Sequence, residues 1–215
     1  MHRIAIALTL ALVALPAWAQ TPQQRDWCAS PTATDDQTID GCTALIQSGQ
    51  EPPANLSVDY DNRGFAYVNK GLNDQAIADE NQSLALNPNN ANGYINRGDA
   101  YDHKGLYDQA IADFTRAMGL TPNTAAAYNN TGNAFAYNDR GLAYGHKGLY
   151  DQAFADYAQA ITISPRFVAP YDNRAALYEK TGSHDQAVAN YRTALGIDPN
   201  DQEAKNGLAR LGAAP

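Results

Sequence analysis

Residues 105–110 (GLYDQA) recur unchanged at 148–153, with close variants at 71–76 (GLNDQA) and 182–187 (GSHDQA). The copies lie 34, 43 and 34 residues apart. Self-similarity at periods of 20–50 residues builds stacked units rather than one globule, because a single unit cannot bury its own apolar face. Aligning the copies on Pro88, Pro122, Pro165 and Pro199 gives four units, 57–90, 91–124, 134–167 and 168–201. Residues 125–133 are left over as a nine-residue insertion.

Each unit holds two apolar-periodic stretches. In the second unit Tyr94, Gly98 and Tyr101 fall at helical spacing on the first stretch, and Ala110, Phe114 and Ala117 on the second. Spacings of three and four place such residues on one helix face. Between them Lys104-Gly105 offers a glycine for the left-handed turn that ends a helix. Asp108 is positioned to cap the next helix. The closing proline stops that helix by disfavouring helical geometry in the residue before it.

These residues resemble the tetratricopeptide repeat, a 34-residue helix-turn-helix unit. Its signature positions read Gly64, Tyr67, Ala76, Ser83 and Pro88 in the first unit, and Gly98, Tyr101, Ala110, Phe114, Ala117 and Pro122 in the second. In the third they read Gly141, Tyr144, Ala153, Tyr157, Ala160 and Pro165, and in the fourth Ala175, Tyr178, Ala187, Tyr191, Ala194 and Pro199. Two departures stand out: Glu80 replaces an aromatic residue and Ala175 replaces a glycine. The resemblance implies an all-α, right-handed solenoid of stacked hairpins. Residues 36–46 echo 74–84, with Thr38 at the crossing position and Cys42 in the place of Glu80. That echo predicts a capping half-repeat helix over about 36–48 within an N-terminal segment, 20–56, and a loop over 48–55 that contains Pro52-Pro53. At the other end, Asn200 with Glu203 fits a capping box. Ala204, Leu208 and Leu211 then make the stripe of a last helix within 202–215. The layout is similar to that of small exported bacterial tetratricopeptide proteins.

The insertion has a visible source, since 136–144 (AYNDRGLAY) repeats 127–135 (AYNNTGNAF) nine residues later. Nine residues are two and a half turns at 3.6 residues per turn. A continuous helix therefore places Tyr128 and Tyr137 on opposite faces. Two outcomes are open: one long helix over about 125–147, or a break near Gly132-Asn133. Runs of alanine at 125–127 and near 134–136 favour the long helix.

The N-terminus reads as a secretory signal. Arg3 is followed by an apolar run over 4–15 and an A-x-A site at Ala17-Trp18-Ala19, which predicts cleavage after Ala19 (domain 1–19) and export, in a bacterium to the periplasm. Twelve apolar residues are too few to span a bilayer, which needs ~20. In an exported chain the two cysteines, Cys28 and Cys42, are expected to pair, and closing so short a loop stabilises the fold by ~3 kcal/mol. The full chain has 15 Lys and Arg against 23 Asp and Glu, a formal charge of −8, which argues against nucleic acid or anionic membrane as a partner.

In the family that the chain resembles, the first helices line a concave groove that contacts peptides. Position by position, the resemblance implies a groove of Asp61, Phe65, Val68 and Asn69 from the first unit, and Asn92, Ile95, Asp99, Asp102 and His103 from the second. The third unit gives Phe135, Asn138, Leu142 and His146, and the fourth Asp172, Ala176, Glu179 and Lys180. Acids outnumber bases on this face, so it suits a basic or polar extended segment better than a C-terminal carboxylate. Arg63, Arg97, Arg140 and Arg174 recur one residue before the crossing position, and Asp79, Asp113 and Asp156 on the second helices, with Asn190 in the fourth. That recurrence predicts a structural Arg–Asp ladder.

No catalytic constellation stands out. The chain has no G-x-S-x-G, H-E-x-x-H or phosphate loop, and its cysteines are not a C-x-x-C pair. His103 and His146 come from different units and do not define metal geometry. The expectation is a non-catalytic docking module without cofactor or metal, binding a protein or peptide on its concave face. Alternatives are a self-associating structural protein and an accessory subunit of an envelope enzyme or secretion complex.

Overall fold

The computed structural model describes residues 22–120 and 127–215. The expected signal segment, Pro122 and residues 125–126 of the insertion lie outside them. The described residues form eleven α-helices and no strand. In chain order they are α1 (Pro22–Ala29), α2 (Asp35–Ser48), α3 (Pro53–Asn69), α4 (Asn73–Leu86), α5 (Ala91–His103) and α6 (Tyr107–Leu120). They continue as α7 (Ala127–His146), α8 (Tyr150–Ile163), α9 (Ala169–Lys180), α10 (His184–Ile197) and α11 (Gln202–Arg210).

Every helix packs against its sequence neighbours, and α3, α5, α7, α9 and α11 each also touch the next of that series. This is the contact pattern of a solenoid, in which each hairpin seals the apolar flank of the one before it. The odd-numbered helices from α3 to α9 form one wall, the one that the resemblance assigns to the concave face.

The hairpins close on glycine. Gly71, Gly105, Gly148 and Gly182 all have left-handed φ of 70° to 79°. Where the helices of a unit cross, Gly98 and Gly141 have no side chain because a ring occupies the space. A Cβ on Gly98 would stand 2.6 Å from the Phe114 ring, and one on Gly141 2.7 Å from Tyr157. In the fourth unit the crossing residue is Ala175. There the Tyr191 ring lies instead against Gly207 of α11, whose Cβ would meet it at 2.3 Å.

The Arg–Asp ladder runs the length of the stack. Arg63, Arg97 and Arg140 each donate two bonds, from Nε and Nη2, to Asp79, Asp113 and Asp156 at 2.6–2.8 Å. Their Nη1 atoms reach back to Thr43, Asn81 and Thr115 on the preceding unit's second helix. The same guanidinium groups lie over flanking tyrosine rings, Arg97 over Tyr94 and Tyr101 and Arg140 over Tyr137 and Tyr144. Such a cation on an aromatic face contributes ~0.5–1 kcal/mol or more. Arg174 ends the series on the neutral Asn190. A second ladder joins Lys70, Lys104 and Lys147, just after the first helices, to Asp36, Asp74 and Asp108 of the preceding unit.

Several elements differ from the sequence reading. The helix at 35–48 is not alone: α1 packs across it, tied by the Cys28–Cys42 disulfide with Cα atoms 4.7 Å apart. Residues 53–55 are not loop but the first turn of α3, because Pro53 at the first helical position needs no amide hydrogen there. The last helix is capped by Asp201, not Asn200; its side chain accepts from the Glu203 amide at 3.0 Å. Asp108 is not a cap either, since it is the second residue of α6 and accepts from Lys147. Its charge still complements the positive helix N-terminus. The insertion, by contrast, takes the favoured outcome: α7 runs unbroken through Gly132-Asn133 for 20 residues, against 13 for α5 and 12 for α9.

Candidate functional site

The concave wall holds residues in rows, each row one position repeated from unit to unit. The row Val58, Asn92 and Phe135 lies near the start of the first helices. Val58, Phe65 and Phe135 are 54%, 52% and 43% exposed, and with Leu86 they are the exposed large apolar residues among those described. Three of these four therefore lie on the concave rows. Phe135 stacks on Phe167 with ring centroids 4.4 Å apart.

The N-terminal third of this wall is a groove of about 540 Å³. One side is the turn after α1, with Ser30, Pro31 and Ala33, and the start of α2, with Asp35 and Thr38. The other side is Asp61, Asn62 and Phe65 of α3 and Asn92, Ile95 and Asn96 of α5. The disulfide holds the first side in place, and Asn62 donates to the Cys28 carbonyl at 3.0 Å. Asp61, Phe65, Asn92 and Ile95 are thus brought together here. Asn69 sits apart at the end of α3, bonded to Asp35 at 3.0 Å. Val68 does not face the groove; it is buried against Ala76 and Ala100.

Behind Asp61 stands a feature the sequence reading passed over. Glu80 occupies the core position that Phe114, Tyr157 and Tyr191 fill in later units, and it is completely buried. Asn96 donates to its Oε1 at 3.1 Å, and its Oε2 has no partner. Burial, with the Asp61 charge beside it, pushes the Glu80 carboxyl up to about 10. Glu80 therefore holds its proton at neutral pH. Asp61 accepts from Asn90 at 2.9 Å and Asn96 at 3.4 Å, so Asn96 bridges Asp61 and Glu80. The one visible signal was a charge at an aromatic core position.

Further along the wall the acids are mostly sequestered. Asp99 is driven well above the usual carboxylate range by burial, then by Asp139 and Asp102. Asp139 stands where the other units have Asn62, Asn96 and Asn173. Asp102 faces His146 Nδ1 at 3.1 Å, and His103 is exposed. Asn138 is buried, accepting from Asn173 at 2.8 Å and donating to Asp139 at 3.1 Å. Leu142 is half-buried. Burial, with the Asp201 carboxyl beside it, raises Asp172 to about 8. Glu179 accepts from Tyr191 and pairs with Arg210 at 2.9 Å. The acids of this face are thus mostly partly buried or paired, and burial raises several of them above the usual carboxylate range. Among the described residues no group of three His, Cys, Asp or Glu is placed to hold a metal.

Tetratricopeptide-repeat sequence models match residues 81–112, 136–167 and 169–201. No curated protein sequence matches the chain significantly. The fold is similar to the crystal structure of MamA, at 27% identity and a TM-score of 0.60, covering 77% of this chain and 89% of that one. It is also similar to a thermophilic tetratricopeptide-repeat protein of Thermus thermophilus, at 23% identity and 0.66, covering 82% and 90%. A chain of the APC/C hetero-tetramer Cut9–Hcn1 aligns at 22% and 0.72, covering 82% of this chain and 33% of that one. The last two likenesses are of fold alone.

Proposed function

We propose that this chain, a tetratricopeptide-repeat protein, is a non-catalytic scaffold of the bacterial cell envelope that holds an extended segment of another protein along its concave wall. Proteins of this family are generally non-catalytic scaffolds. The observation that carries the reading is the placement of exposed apolar surface. Val58, Phe65 and Phe135 lie on the concave rows, while the remaining large apolar side chains, Leu86 apart, are buried or half-buried among the described residues. Apolar groups left in water at regular intervals along one wall suit a segment that presents side chains at intervals. The exposed Asn92 supplies an amide for its backbone.

A photoreactive residue placed at Phe65 or Phe135, in cells, tests this. The expected result is one partner crosslinked from both positions and not from the outer Asp185. Crosslinks from Asp185 alone, or only to a second copy of the chain, would overturn it. Fractionation of the same cells tests the envelope assignment, which predicts a mature chain beginning at Gln20.

A further inference from the structure

The N-terminal groove has a chemistry of its own. Its lining carries two acids, Asp35 and Asp61, and no Lys or Arg. Asp61 is held in place by two donors, Asn90 before α5 and Asn96 within α5, and Asn96 is itself anchored on the buried Glu80 of α4. Arg63 of the same helix is paired with Asp79 at 2.6 Å. Among the described residues no cation is bonded to Asp61, and burial raises the cost of its charge. Beside it, the 52% exposed Phe65 ring and the half-buried Ile95 offer apolar surface on the same groove wall. A desolvated carboxylate next to an aromatic face is matched by a planar cation on an apolar stem.

We infer that Asp61 is the recognition carboxylate for one arginine side chain of the bound segment, whose stem packs on Phe65 and Ile95. The inference rests on the concave-wall reading and names the chemistry of the segment at one end. Glu80 is the positioning residue: it accepts from Asn96, which with Asn90 fixes the carboxylate before the ligand arrives. The side chain that replaced an aromatic core residue thus costs packing but holds Asp61 in place.

The test is an NMR titration of the full mature chain with the capped peptide acetyl-Leu-Arg-Leu-amide and with the same peptide carrying citrulline, which keeps the shape and loses the charge. The expected result is shifts at the Asn96 side-chain amide and the Phe65 ring, with binding at least tenfold tighter for arginine. Asp61→Asn should abolish that preference, and Glu80→Gln, which keeps an acceptor for Asn96, should retain it. Equal binding of both peptides overturns the inference and leaves the groove reading standing. An arginine preference that survives Asp61→Asn assigns it to diffuse charge and also overturns the inference. So does the absence of any shift in the groove, whereupon the crosslinks from Phe135 decide the wider reading separately.

Discussion

At the scale of single residues, the repeat is defined by what the crossing glycines leave out. Gly98→Ala would drive a methyl into the fully buried Phe114 ring, so it should destabilise the fold by about 1–3 kcal/mol in urea unfolding. Gly196→Ala, in α10 with open space around it, should instead stabilise by about 0.5–1 kcal/mol. The buried carboxyls make a second prediction. Glu80 and Asp172, raised to about 10 and about 8, hold protons in the folded state that the unfolded chain releases above roughly pH 4–4.5. Stability from these groups is full below that unfolded value and is lost as pH rises toward the folded values. The urea midpoint should therefore fall between pH 5 and 9, and Glu80→Gln should flatten the decline; a midpoint that climbs over this range would contradict the assignment. The Arg–Asp ladder could be read from sequence because both partners recur in step. The Glu80–Asp61 pair could not, because nothing in one chain's spacing says that a lone core glutamate meets a groove aspartate across two helices.

At the scale of elements, most helices announce themselves through apolar spacing, and the misread ones lack it. The eight residues of α1 have almost no apolar stripe, and so short a helix is marginal alone. It exists here because Cys28 ties it to α2 and because it leans on α3. Reducing the disulfide should cost ~3 kcal/mol locally. Limited proteolysis should then cut at Arg25 while the hairpins from α3 onward stay protected; equal protection before and after reduction would show that packing alone suffices. The long α7 invites a deletion. Removing residues 125–133 takes away the first seven residues of α7 and leaves a helix beginning at Ala134, close to α5 in length. The shortened chain should still unfold cooperatively, with helix content lower by about the deleted turns. Loss of the cooperative transition would mean that the duplicated segment is structurally required. The sequence left the choice between a long and a broken helix open because alanine and glycine at 125–136 pull in opposite directions.

At the scale of the whole molecule, stability and function share one design. Stacking needs only neighbours, so the Arg–Asp and Lys–Asp ladders and the ring-into-glycine contacts repeat along the stack, and the wall they leave behind is free to vary. The solenoid and its concave rows were legible because the period was. The charge state of that wall was not, since burial raises Glu80, Asp99 and Asp172 and leaves Val58, Phe65 and Phe135 as its exposed large apolar groups. The central claim is that this wall takes the partner. Hydrogen–deuterium exchange on the complex with the crosslinked partner, against the free chain, tests it most directly. The account predicts added protection in α3, α5, α7 and α9 and little change in α4, α6, α8 and α10. Protection concentrated on the even-numbered helices, or confined to the two ends of the stack, would contradict it.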